Sequence, residues 1–441
     1  MANASSYAQI VSQRGSTAYH MLHEYDNEDC INLYHGDAAF PPHSKVVEVL
    51  RSVTNRIELW NGKNEKSENA VELKRYRVPT QMTIQALKDA IVNDFVKNMP
   101  ANFNRNDVFL QTGAGVTHIA AALFNHFRKT HSTVMMFAPT YTSFLFVADT
   151  FSCDVLLMPP RSDGQITPDL IENSLLQNPH IKTIFLVNPN NPSGQLFTKE
   201  ELESISRLAI KHNLLVICDE IFHKLVHDAD TPFISLASIE IDGERMFDRT
   251  ITLRSVSKDH GLASIRTGYA IGSKNNINDL FIHSFTFASI FNVDDLAQHV
   301  SAAALTYTPD SYYEAQRDLL RYHRDLVIDL VNEINEKIGV ILLRPEKPLS
   351  GIFHLIDFSA LKGFQYQDKT IRSDFDLCAL LLKSSDHSVA LLPASCGGYE
   401  PDSMKLRLTL SSSEEDIRLG LSRLGSFVEK LWIFHQPQIK L

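Results

Sequence analysis

The stretch Thr183-Ile-Phe-Leu-Val-Asn-Pro-Asn-Asn-Pro-Ser-Gly194 decides the fold. Thr183–Val187 runs with little polar alternation, as a strand buried on both faces does. It breaks into Asn188–Gly194, a loop dense in residues suited to unusual backbone geometry. Two Asn-Pro bonds sit there, and Asn191-Pro192 is a candidate cis bond. In open α/β sheets, ligands gather at the carboxyl ends of such strands.

The same pattern extends both ways along the chain. Thr133–Phe137, Val155–Met158, Leu214–Cys218, Thr250–Leu253 and Gly268–Ile271 are further candidate strands, rich in Val, Ile, Leu and Phe. Amphipathic helices lie between them. Thr167-Pro168 predicts an N-cap with proline at the first helical position. Thr198-Lys-Glu-Glu201 predicts a capping box ahead of Leu202, Ile205, Leu208 and Ala209. Another helix is expected over Met82–Val96. Strands alternating with helices from about Asp107 to Gly272 predict an α/β fold with a mostly parallel sheet.

Beyond Asp294 the pattern is helical to about Lys337. Ile352–Phe358, Val389–Leu392 and Lys405–Leu410, with helices at Asp374–Lys383 and Glu414–Trp432, read as a smaller α+β unit. The N-terminal third reads as polar and irregular, with a loop or arm over Asn61–Asn69. The expected organisation is an N-terminal arm and part of the small domain (1–60), a large domain (61–320) and a small C-terminal domain (321–441).

Composition bounds the function. The 441 residues are 44% hydrophobic and 21% charged, which fits a globular protein. The net charge of −10 opposes nucleic acid or an anionic membrane as a partner. Five cysteines without a CxxC pair fit a reducing compartment. No stretch approaches the ~20 apolar residues of a membrane span, and MANASSYAQIVSQRGS has no apolar core of a secretory signal. A cytoplasmic location is expected. His223 and His227 lack the glutamate of HExxH, so no metal is expected.

Four pieces carry chemistry. Lys258 lies in Arg254-Ser-Val-Ser-Lys-Asp-His-Gly-Leu-Ala-Ser-Ile-Arg-Thr-Gly-Tyr269, after an apolar strand. Ser255, Ser257 and Arg266 around it suit a phosphate dianion. A lysine beside such a site can form a Schiff base with an aldehyde that carries the phosphate. Alone, Lys258 reads first as a solvated loop lysine near a turn, because most lysines are surface residues. Asp219 ends Leu214-Leu-Val-Ile-Cys-Asp219, where a carboxylate can hold a pyridinium nitrogen or cap a helix. Asn188–Gly194 is the third piece. The fourth, Thr112-Gly-Ala-Gly-Val-Thr-His118, opens an apolar helix and suits phosphate binding through free N–H groups.

In order and spacing these pieces resemble the class I/II aminotransferases, fold type I enzymes that depend on pyridoxal 5'-phosphate. The resemblance runs over roughly residues 30–430. It implies a seven-stranded-type, mostly parallel sheet flanked by helices, plus a smaller α+β domain. It implies transfer of the amino group of an L-amino acid to a 2-keto acid. Lys258 matches the lysine that binds the cofactor covalently and moves the Cα proton. Asp219 matches the partner of the pyridine nitrogen, and Asn191 the donor to the phenolic oxygen. Gly113, Ala114, Gly115, Ser255, Ser257 and Arg266 fall at phosphate-binding positions. Tyr141 falls where a ring stacks on the pyridine, and Arg407 where an arginine grips the substrate α-carboxylate. Arg407 shares a strand face with Lys405, so solvation is its other reading. Tyr76 resembles a tyrosine that reaches the phosphate of the neighbouring subunit, which implies a homodimer with shared active sites. Gly36 sits where the N-terminal segment passes the substrate, beside His35 and Asp37.

One departure stands out. The family's tyrosine three residues after the aspartate is Phe222 here. A donor to the phenolic oxygen is lost, which should raise the pKa of the lysine–cofactor imine. Some members of this fold that oxidise or cyclise amino acids, including arginine-oxidising enzymes, carry phenylalanine there. An oxidase, cyclase or lyase is therefore the alternative.

Overall fold

The computed structural model describes residues 4–24, 29–59, 83–159, 168–281, 293–366, 369–384 and 388–439. Seven strands form the main sheet: β1 (Phe109–Gly113), β2 (Thr133–Phe137), β3 (Val155–Met158), β4 (Ile181–Val187), β5 (Leu215–Asp219), β6 (Thr250–Ser255) and β7 (Gly268–Gly272). Their spatial order is β1-β7-β6-β5-β4-β2-β3. β7 runs antiparallel to β1 and β6, and every other pair is parallel.

The strands are apolar throughout because both faces are covered. Along β2, Val134 and Met136 join one core with Phe124, Phe144 and Phe185. Met135 and Phe137 join the opposite core with Ile184, Leu186 and Leu202. The period of two thus divides one apolar run between two helical layers. The Lys199–Lys211 helix on the second face starts at the predicted capping box. Thr198 Oγ1 accepts from the Glu201 N–H at 3.2 Å, and the Glu201 carboxylate accepts from the Thr198 N–H at 2.8 Å.

A second sheet is antiparallel, in the order β8-β9-β11-β10: β8 (Arg344–Pro345), β9 (Phe353–Asp357), β10 (Leu392–Pro393) and β11 (Lys405–Thr409). Its core takes in Leu33 and Tyr34 from the N-terminal segment. The 29-residue Asp310–Ile338 helix serves both sheets. Tyr313 near its start bonds His260 beside the main sheet, while Leu320, Val327 and Val331 pack into the second core.

Three expectations need correction. The N-terminal third is not irregular: Ala4–Glu24 and Ser44–Leu59 are helices. The first buries a face of mostly small residues, including Ala8, Val11 and Ala18, so its stripe is weak in the sequence. β1 is an additional strand, absent from the candidate strands of the sequence. Its first three residues are half-buried, and Gln111 interrupts the apolar run. Val389–Leu392 is not one strand. Val389–Ala390 pairs with Ile31–Asn32, and after Leu391 the chain joins the second sheet as β10. Thr167 and Asn61–Asn69 lie outside the described residues. The Asn191-Pro192 bond is cis, as are Asn188-Pro189 and Ala138-Pro139.

Phe185 on β4 is 1% exposed, with ring centroids 5.7 Å from Phe124 and 4.8 Å from Phe144. Phe185→Ala is expected to cost about 3–5 kcal/mol, read as a lowered urea midpoint.

Candidate active site

Register brings the site together. Val187 at the end of β4 lies opposite Asp219 at the end of β5, and Asp219 lies opposite Leu253 on β6. The loops that follow these strands therefore open at one edge, with Asn191, Asp219, Ser257 and Lys258 side by side. They line a cavity of about 200 Å³. Gly36, Tyr141, Phe222, Arg266 and Arg407 line it too.

The remaining predicted residues stand beside it. A Cβ on Gly115, whose φ is +88°, would lie 2.5 Å from Arg266 Nη2, so only glycine admits the guanidinium there. Gly113 pairs with Gly268 across the sheet. The Ala114 N–H donates to His118 Nδ1 at 3.2 Å. Ser255 Oγ accepts from the Ser257 N–H at 3.1 Å. Tyr76 lies outside the described residues.

Lys258 is largely buried, and its Nζ donates to the Gly36 carbonyl. Burial lowers the pKa of its amine; Arg266 and Arg407 act in the same direction and Asp37 opposes them. A lowered pKa enlarges the neutral, nucleophilic fraction.

Asp219 is 3% exposed. Burial pushes its carboxyl up to about 7, the Ile221 N–H pulls down, and Glu220 pushes up. Oδ1 accepts from that N–H at 3.2 Å. Among the described residues no cationic side chain pairs with it. Such a carboxylate offers a protonated ring nitrogen what it lacks, a charged partner.

Arg407 stands on the inward face of β11 and is 5% exposed, which excludes solvation. Lys405, on the same face, instead reaches Glu346 at 2.5 Å. Arg407 donates to Asn191 Oδ1 at 3.3 Å and to the Tyr34 carbonyl at 2.8 Å, and its guanidinium lies 3.7 Å from the Phe353 ring centroid. Its Nε has no partner, and no carboxylate among the described residues pairs with it. A buried guanidinium with free donors is a receptor for a carboxylate. Arg266 sits in left-handed backbone at φ +56° and donates to the Ala263 carbonyl at 2.9 Å.

Sequence reasoning missed Tyr19, Tyr34 and Phe353, which also line the cavity. Nothing in the sequence marks Tyr19. Phe353 left a trace through Gly36, where a Cβ would lie 2.6 Å from the Phe353 ring. That contact explains the glycine by steric need.

Comparison with known proteins identifies the family. The family model "Aminotransferase class I and II" matches residues 28–424. The chain belongs to that family, whose reaction is amino-group transfer between amino acids and keto acids. It is 26% identical over 352 residues to an aspartate aminotransferase of Bacillus sp. (strain YM-2), covering 78% of this chain and 82% of the relative. It is 26% identical over 408 residues to an aspartate aminotransferase of Thermotoga maritima, covering 91% and 92%. The crystal structure of an aspartate aminotransferase from Rhizobium meliloti superposes with a TM-score of 0.76 at 21% identity, covering 94% of both chains. That match shows the fold.

The raised pKa of Asp219 has a consequence for stability. Its folded value of about 7 exceeds the ordinary value of 3.8, so the folded state binds the proton more tightly. Its contribution is full below about pH 4 and is lost as pH rises through 7. Asp374, also pushed up to about 7, chiefly by burial, shares the window. Asp219→Asn should stabilise the ligand-free protein at pH 8 by on the order of 2–4 kcal/mol and flatten its decline between pH 5 and 8. Denaturant titrations across that range check both.

Proposed function

We propose that this protein uses pyridoxal 5'-phosphate, held by Lys258, to carry the amino group of an L-amino acid to a 2-keto acid. One observation carries the reading. A single cavity holds a buried carboxylate without a cation, an amine of lowered pKa, and two guanidiniums that pair with no carboxylate among the described residues.

The residues fit the group. Arg266, with the hydroxyls of Ser255 and Ser257 and the Gly113–Gly115 turn at the start of the following helix, would hold its phosphate. Asp219 would accept from the ring nitrogen and keep it protonated. Asn191 would donate to the phenolic oxygen, while Phe222 offers no donor. Tyr141 would cover the ring face. When bound, the group supplies the sink for electrons released at the substrate Cα. Arg407 holds the α-carboxylate, and Gly36 lets the N-terminal segment pass close by. Lys258 Nζ would take the Cα proton and return it on the far side of the amino nitrogen.

The same reading extends to organisation. Tyr76 of a second copy would complete the phosphate site, making the protein a homodimer with shared active sites. The division at 61–320 and 321–441, with 1–60 as an arm and part of the smaller domain, assigns the main sheet to the cofactor and the second sheet to Arg407. A cytoplasmic location fits five buried cysteines, all free. Phe222 favours a second reading, an oxidase, cyclase or lyase acting on an L-amino acid, for example an arginine-like one.

Borohydride treatment of protein loaded with the cofactor should leave a phosphopyridoxyl label on Lys258 and none on Lys258→Ala, read by peptide mass. Labelling elsewhere overturns the proposal. Single-turnover mixing with amino acids should yield pyridoxamine phosphate; ammonia and peroxide without it would select the second reading. Arg407→Ala should lower kcat/KM by about 10²-fold or more, since it removes a charge-assisted carboxylate contact.

A further inference from the structure

Lys258 and Asp219 are each followed by a buried carboxylate, Asp259 and Glu220. These two groups stand at opposite ends of one polar chain behind the cavity. Asp259 Oδ1 lies 2.6 Å from His260 Nδ1, and His260 Nε2 lies 2.8 Å from the Tyr313 hydroxyl. The Lys224 amine donates to that hydroxyl at 3.4 Å and to Asp94 Oδ1 at 2.7 Å. Asp94 Oδ2 lies 3.8 Å from Arg254 Nη1. Arg254 donates through Nε and Nη2 to Glu220 Oε2 at 3.1 and 2.7 Å, and Ser235 Oγ donates to Glu220 Oε1 at 2.7 Å.

The donors and acceptors run consistently. With Nδ1–H donating to Asp259, His260 Nε2 accepts from Tyr313, whose oxygen accepts from Lys224. None of the links lines the cavity. Arg254 and Glu220 are fully buried, and Asp94, Asp259, His260 and Tyr313 nearly so. Burying so many charged groups is costly. The chain is also incompletely satisfied: Asp259 Oδ2 and Gln316 Oε1 have no hydrogen-bond partner, although Gln316 Nε2 holds the Asp259 carbonyl at 3.1 Å. A half-satisfied buried network is a poor way to gain stability.

From this arrangement we infer a positioning clamp, with His260 and Tyr313 as positioning residues that set the spacing of Lys258 and Asp219. It ties the loop after β6 to the loop after β5, and both to the Asp310–Ile338 helix. The inference rests on the proposed roles of those two side chains. A covalent link at one and an ion pair at the other hold a rigid ring only if their spacing is fixed, and supporting hydrogen bonds fix such geometry. Misplacement by about 1 Å can cost 10²-fold in rate.

Tyr313→Phe removes one hydroxyl that joins the two halves, and Ser235→Ala is a mild change at the far end. In protein loaded with pyridoxal 5'-phosphate, Tyr313→Phe should alter the visible circular dichroism of the bound cofactor. It should also raise the cofactor release rate about tenfold and lower kcat about tenfold with KM within about twofold. The double variant's release rate should depart from the product of the single effects. His260→Gln should retain more of the wild-type spectrum than His260→Ala, and this pair replaces Tyr313→Phe if that variant fails to fold. A lowered Tm with unchanged dichroism, release and kcat overturns the clamp alone. Absence of a borohydride label at Lys258 in the wild type overturns the cofactor reading and the clamp with it.

Discussion

The parallel pairing of β4 with β5, which sets Val187 opposite Asp219, is the constraint on which the molecule depends. A shift of one residue would exchange the two faces of β5, placing Ile217 in the wrong core and swinging Asp219 away from the cavity. Burial on both faces fixes that register, because Phe185 and Ile217 share one core while Ile184 and Val216 share the other. The chemistry at the edge is thus held in place by apolar packing at the centre.

The site combines opposed electrostatic demands. Asp219, Lys258 and Arg407 are all taken out of water, and each has its charged form disfavoured there by burial. The sheet and the second layer hold them in this state without pairing them with one another. Arg407 is steadied by a carbonyl, an amide oxygen and the face of Phe353 rather than by an acid. Its strongest valence is left for an anion from outside.

Much of this was legible in the sequence, and the reasons differ by residue. Most main-sheet strands could be read because burial on both faces leaves nearly continuous apolar runs. The site residues could be read because they stand where strands break into dense loops. Arg407 was ambiguous: alternation in β11 says which residues share a face, and only folding says which face turns inward. The Ala4–Glu24 helix was hidden because small side chains form much of its buried stripe. The polar chain through Asp94, Lys224, His260 and Tyr313 leaves no local pattern at all, since its members come together from four distant segments.

The N-terminal helix carries one more implication. Tyr19 reaches the cavity wall from it, while Tyr7 bonds the Gly398 carbonyl and Gly15 packs against Thr142 and Phe146. Part of the reaction chamber is therefore built from a peripheral segment that supplies no strand to either sheet. Selection, or an engineer, can remodel which molecules enter by rewriting that segment while the load-carrying centre of the protein stays untouched.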